Sequence, residues 1–181
     1  MKRLTLASQS PRRARILAGL GVAFDVVKTD APEVSFPHDP ERTVTVNACS
    51  KLRACGRFPA LAADTIVWFG GKIYGKPRDL DEAKRFLREL SGRTHVVFTG
   101  VAYAADGGTD GVRTACVRSE VTFHALSAAT IDEYVARVRP TDRAGAYDID
   151  ENGGLLVASY SGSYENIMGL PVEPLRLFGI I

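Results

Sequence analysis

Residues Leu6 to Leu17 read LASQSPRRARIL, a stretch with two hydroxyls, one proline and three arginines in twelve residues. Arg3 to Ala7 ahead of it reads as a short strand, and Pro11 to Leu20 as a helix closed by Gly21. Ser10 is an N-cap residue type, and proline in the next position gives up only an N–H that has no partner in a first turn. The remaining free N–H groups and the positive end of the helix dipole face whatever sits in front of the turn. Arg12 and Arg13 fall in that first turn, where positive charge opposes the dipole by about a few tenths of a kcal/mol unless an anion offsets it. The stretch therefore reads as a strand, a tight polar turn and a helix built to receive an anion. On these residues alone, a capped helix with a solvated basic face stays open as the plainer reading. Neither G-x-x-x-x-G-K-[ST] nor G-x-G-x-x-G occurs here, which excludes the standard phosphate loops.

Outward from this turn, Ala23 to Thr29 is strand-like and Asp30 to Pro40 is a loop punctuated by prolines. Val44, Ala48, Leu52 and Cys55 recur at helical spacing within Glu41 to Cys55. Leu61 to Phe69 is an apolar run, and Gly70-Gly71 fits a two-residue hairpin turn into Lys72 to Tyr74. Leu80 to Leu90 is an amphipathic helix stopped by Gly92, and Thr94 to Ala104 and Val112 to His124 are long strands across the connection DGGTDG. Thr130 to Val138 is helical with Ser127 as its cap, Leu155 to Tyr160 is a strand, and Val172 to Phe178 is a closing helix. Hairpins beside crossovers predict an α/β protein with a mixed sheet.

The totals fit a single soluble domain over residues 1–181, with 45% hydrophobic and 24% charged residues. A chain of this length buries roughly 70% of its unfolded surface and needs no staples. The net charge of +2 points to neither a nucleic-acid coat nor a membrane-surface protein. Cys49, Cys55 and Cys116 cannot close a disulfide framework and read as small buried residues of a reducing, cytoplasmic protein. No signal peptide and no apolar run of membrane-spanning length is read. His38, His95 and His124 lack ligand spacing and read as structural or surface histidines.

Asp64 interrupts the run LAADTIVWF, where a carboxylate is costly unless it is paired, metal-bound or facing a cleft. Lys51 flanks the apolar stripe of its helix, so its stem can lie on the core with the ammonium outward. Lys76 sits between Gly75 and Pro77, which pins its backbone without naming its target. Glu33 by itself is an ordinary acidic loop residue.

The opening turn, taken with Glu33, SKLRA around Lys51, AADTIV (Ala62 to Val67), GKPRDLDEA from Gly75, LSGRTHVVFTGVA from Leu90, AGAYDI from Ala144 and GSYENIMGLP from Gly162, resembles the Maf family of nucleoside triphosphate pyrophosphatases in order along nearly the whole chain. The AGAY and GSYENIMGLP segments resemble the branch acting on dTTP and UTP. The resemblance implies an inosine-triphosphate-pyrophosphatase-like fold, with two lobes around a central cleft, and a homodimer. It implies that Asp64, Glu33, Lys51 and Lys76 are catalytic, with Asp64 as general base. Ser8, Ser10, Arg12, Arg13, Thr65 and Asp150 are then substrate-binding. A Mg²⁺ or Mn²⁺ ion is expected between Glu33, Asp64 and the phosphate oxygens, because cutting a triphosphate calls for a hard cation held by carboxylates.

One segment departs from the family. Relatives commonly read YGIQ after AGA, whereas this chain reads YDID, with Asp148 for the glycine and Asp150 for the glutamine. Asp150 keeps an acceptor and loses the amide donor, which makes it a third carboxylate for the metal or a changed reader of the base. DIDENG (148–153) also fits half of a calcium-loop pattern, but the twelfth position is Ser159 where the loop needs a bidentate Glu. Two other functions remain in view: a pyrophosphatase for non-canonical or modified purine nucleotides, and a non-catalytic nucleotide-binding regulator of septum formation. A duplex nucleic-acid binder is not expected, since no basic helix or aromatic platform follows the first turn.

Overall fold

The computed structural model describes residues 3–108 and 110–181, so Thr109 within the expected DGGTDG connection lies outside the described residues. Among the described residues seven strands make one mixed sheet in the order β2-β1-β3-β5-β6-β7, with β4 hydrogen-bonded to the far end of β3. They are β1 (Leu4–Leu6), β2 (Phe24–Val26), β3 (Ala60–Phe69), β4 (Lys72–Tyr74), β5 (Thr94–Ala104), β6 (Arg113–Phe123) and β7 (Val157–Ser161). β1 runs parallel to β2 and β3, and every other pairing is antiparallel. The helices are α1 (Pro11–Gly19), α2 (Pro40–Cys55), α3 (Leu80–Leu90), α4 (Ala128–Val138), α5 (Tyr164–Met168) and α6 (Val172–Leu177).

Local chemistry accounts for the boundaries. Asp39 caps α2 through the Arg42 N–H at 3.0 Å, Asp79 caps α3 through Glu82 at 2.7 Å, and Ser127 caps α4 through Thr130 at 3.1 Å. Gly70 and Gly71 both take positive φ, +59° and +79°, as a two-residue hairpin with the twist of its strands requires. Ser10 stands at the N-cap of α1 as expected, but its side chain makes no capping bond. Its N–H donates to Ser8 Oγ at 3.2 Å instead, leaving the Ser10 hydroxyl unspent on the helix.

Strand alternation sorts β3 between two cores at one end of the sheet. Ala60 and Ala62 pack with Ala48, Leu52 and Cys55 of α2, whereas Leu61 and Ala63 pack with Leu6, Leu17, Leu170 and Leu175 on the opposite face. At the other end of the same strand Val67 joins a third core formed by Tyr74, Phe86, Leu87, Tyr134, Leu156 and others. The long strands β3 and β5 thus run through both lobes, and Asp64 and Thr65 fall where one lobe gives way to the other. Gly100 of β5 lies directly opposite Asp64 in the register. A Cβ there would sit 2.5 Å from the carbonyl of Val44, so only glycine lets α2 cross the sheet this closely.

Candidate active site

A cavity of about 670 Å³ opens between the lobes. Its walls come from the turn Ser8 to Arg13, the loop around Glu33, α2, the middle of β3, Gly75-Lys76, the 142–148 loop and Ile167 to Gly169. Side-chain alternation gives the two faces of β3 different work here.

On the α2 face, Asp64 is only 5% exposed. Asn47 and Lys51, four apart on α2, share a helix face and both reach it. Lys51 Nζ lies 2.5 Å from Asp64 Oδ1, and Asn47 Nδ2 donates to Asp64 Oδ2 at 3.1 Å. The same Lys51 ammonium stands 2.8 Å from Glu33 Oε1 in the loop. Two carboxylates from separate elements therefore converge on one cationic point. Partial burial pushes the Glu33 carboxyl up, but the hydrogen bond and charge of Lys51, with Lys76 and Arg13 beyond, hold it below its ordinary value.

On the opposite face, Arg13 reaches across from α1. Its Nε donates to the Gly169 carbonyl at 2.7 Å, and its two terminal nitrogens donate to Ser8 Oγ and Thr65 Oγ1, each at 3.0 Å. Thr65 Oγ1 also meets Thr99 Oγ1 at 3.0 Å. Burial lowers the Arg13 pKa to about 10, against the pull of Asp64 and Glu33, so the guanidinium stays charged at neutral pH. Gly169, at φ +105°, brings its backbone against this cluster: a Cβ there would lie 3.3 Å from Thr65 Oγ1 and 3.5 Å from Arg13 Nε.

The third wall holds the segment that departs from the family. Asp148 is buried, with Oδ2 3.5 Å from Arg12 and 3.3 Å from Arg143. Its Oδ1 accepts the Asp150 N–H at 2.9 Å. Asp150 turns the other way, to Arg15 at 2.6 Å and Tyr164 at 3.2 Å, and takes no part in lining the cavity. The acidic side chains of DIDENG are thus engaged by Arg12, Arg15 and Arg143.

Measured against the sequence reading, Glu33, Lys51, Asp64, Thr65, Lys76, Ser8, Ser10, Arg12 and Arg13 all line the one cavity. Three of them differ from expectation in detail. Arg13, Ser8 and Thr65 are bonded chiefly to one another and to Gly169, so Arg13 has three of its five donors engaged before any ligand arrives. Asp150 is not among the lining residues: its carboxylate meets Arg15 and Tyr164, and the neighbouring Asp148 stands on the wall. Asn47 was not foreseen, because a buried polar residue on the flank of an apolar stripe looks like any other surface asparagine. Lys76 is exposed on the wall with its charge reaching Glu33.

Among the described residues no three His, Cys, Asp or Glu side chains form a ready-made cage for a metal ion. Asp64 and Glu33, whose carboxylates converge on one ammonium, are the residues that could hold a hard divalent cation.

The chain matches the family model described as Maf-like protein over residues 3–178. It is 46% identical to the dTTP/UTP pyrophosphatase of Anaeromyxobacter dehalogenans, covering 94% of this chain and 89% of that one. Identity to the dTTP/UTP pyrophosphatase of Moorella thermoacetica is 44%, over 99% of this chain and 97% of that one. A protein of the same name from Myxococcus xanthus is also 44% identical, over 93% and 87%.

Proposed function

The chain belongs to the Maf-like protein family, and on that premise we propose that it is a nucleoside triphosphate pyrophosphatase that takes dTTP and UTP to the monophosphate and diphosphate. The observation that carries the reading is Asp64, a buried carboxylate held between Lys51 and Asn47 in a cavity that is also lined by Arg12 and Arg13 of α1 and by Lys76.

In the proposed reaction the triphosphate enters as a polyanion and meets Arg12, Lys76, the Ser10 hydroxyl and the open N-terminal turn of α1. Arg13 backs this wall as a charge already fixed by Ser8, Thr65 and Gly169. Asp64, unable to rotate because both oxygens are held, orients a water against the α-phosphorus and accepts its proton. The bond from the α-phosphorus to the bridging oxygen breaks, and the diphosphate leaves with the electron pair. Lys51, 2.5 Å from Asp64 and 2.8 Å from Glu33, supplies positive charge beside the carboxylates for the negative charge that develops on the phosphate oxygens. A Mg²⁺ or Mn²⁺ ion held by Asp64 and Glu33 would add charge neutralisation on the phosphate chain.

Incubating the purified protein with UTP or dTTP and Mg²⁺, then separating the products, tests the proposal. Monophosphate and diphosphate are expected. Nucleoside diphosphate and orthophosphate would place the cut elsewhere, and clearly faster turnover of CTP, GTP or methylated GTP would refute the choice of base. Asp64→Asn should lower kcat by roughly 10²–10⁴-fold in a protein that still melts cooperatively, at a lower temperature because its new NH₂ meets the Asn47 or Lys51 donor. The same reading carries a cytoplasmic homodimer that clears nucleotides from the pool, with control of septum formation as a further role.

A further inference from the structure

Asn47 is 3% exposed, sits on the third turn of a helix and has every polar atom of its side chain engaged. Its Oδ1 accepts the Val34 N–H at 2.8 Å, and its Nδ2 donates to the Val34 carbonyl at 3.0 Å and to Asp64 Oδ2 at 3.1 Å. One side-chain amide thus reads both backbone groups of Val34 as a neighbouring strand would, and spends its remaining proton on the carboxylate. The amide has only one satisfactory orientation. Turned over, its oxygen would face both the Asp64 carboxylate and the Val34 carbonyl, and its NH₂ would face the Val34 N–H.

Val34 follows Glu33 directly, and the rest of the loop is tied down by further contacts. Phe36 exchanges two hydrogen bonds with Thr43 Oγ1, at 2.9 and 3.2 Å, and the Pro37 carbonyl accepts from Trp68 Nε1 at 3.0 Å. Those contacts fix the outer part of the loop. The inner part, which carries Glu33 into the cavity, is fixed by Asn47.

We infer that Asn47 is a positioning residue that sets the Glu33 carboxylate at its working distance from Asp64, by clamping the Val34 peptide and the Asp64 carboxylate with one amide. No other natural side chain of similar size does both. Leucine keeps the volume and loses all three bonds, aspartate keeps the acceptor and loses both donors, and glutamine adds a methylene in a filled space. The inference rests on the pyrophosphatase reading for its catalytic consequence, but not for the clamp itself.

The test uses Asn47→Leu, with Asn47→Ala as a second variant in case the first does not fold. Hydrogen exchange of peptides covering residues 30–37 should accelerate at least about tenfold in the variant, while peptides from 48–55 of the same helix keep their wild-type protection. With UTP and Mg²⁺, kcat should fall roughly 10–100-fold, the usual loss when a residue orienting a ligand carboxylate is removed, with KM within about threefold. Unchanged exchange at 30–37 overturns the clamp. Faster exchange with kcat within twofold of wild type overturns its link to catalysis, as does a KM that rises while kcat is kept. A wild-type protein inactive on UTP and dTTP would fail the pyrophosphatase reading and overturn that link, while the exchange comparison would still decide the clamp.

Discussion

At the scale of single residues, polar groups inside this molecule are either held from several sides or left with one partner, and the two cases have different consequences. His95 is buried at 1% exposure, with Nε2 2.9 Å from the Tyr147 hydroxyl and Nδ1 without a hydrogen-bond partner. Burial lowers its pKa from 6.5 to about 4. The folded protein therefore refuses a proton that the unfolded chain accepts, and stability is lost as pH falls through 6.5 and levels off only near 4. The depressed carboxylates, Glu33, Glu82, Glu89 and Asp132, act below 4.5, so the interval from 6.5 to 4.5 belongs to His95. The unfolding free energy from urea titrations should fall across that interval by on the order of 2 kcal/mol, and His95→Gln should flatten the slope; an equally steep slope in the variant would exclude this origin. Asp64 was legible in the sequence because a carboxylate inside an apolar run needs a reason. Asn47 was not, because its partner Val34 lies in a loop with no periodicity. Nor does spacing tell Asp148 from Asp150, since the Asp150 N–H closes a local turn on Asp148 that sends their side chains opposite ways.

At the scale of elements, what brings Asn47 and Lys51 to Asp64 is the close crossing of α2 over β5. That crossing depends on the missing side chain of Gly100. Gly100→Ala should cost about 1–3 kcal/mol, since backbone rather than a flexible side chain must yield, and should lower turnover through the displaced helix. A melt and a kcat for this variant check both halves; an unshifted Tm with full activity would mean α2 has room to move. The elements that carry long periodic or alternating patterns were readable to within one residue for α2, α3, β3, β5 and β6, and to within two for α4, which starts at Ala128 rather than Thr130. α5 was not foreseen, because five residues, Tyr164–Met168, are too few to show a helical period. Its start is set by the Ser163 hydroxyl accepting from Asn166 at 3.1 Å, and its end by Gly169 at φ +105°, features of local chemistry rather than pattern. The parallel pairing of β1 with β2 and β3 was equally silent, since three-residue strands carry no register information of their own.

At the scale of the whole molecule, a net charge of +2 hides a strongly uneven field. Arg12, Arg13, Lys51 and Lys76 line one concavity, facing Glu33, Asp64 and Asp148. A polyanionic substrate should be drawn to such a cleft, so kcat/KM for UTP should fall several-fold between about 50 and 500 mM salt, mostly through KM. Lys76→Ala should flatten that dependence because Lys76 is the exposed member; an insensitive wild type would count against electrostatic capture. Arg12–Asp148 and Arg15–Asp150 cross from α1 to the 144–151 loop, so part of the charge that meets a ligand already fastens one side of the cleft to the other.

β3 and β5 pass uninterrupted from one core to the next, and this continuity has a consequence for the way the molecule can move. Enzymes whose halves are joined by a slender tether can swing wide to admit a guest; here ten and eleven residues of paired backbone serve as the joint. With such a joint the mouth should breathe only by gentle flexing of a twisted ribbon, so a guest should meet a nearly finished shape rather than summon one. For the same reason neither half could be cut free without leaving strands stripped of the packing that keeps them dry.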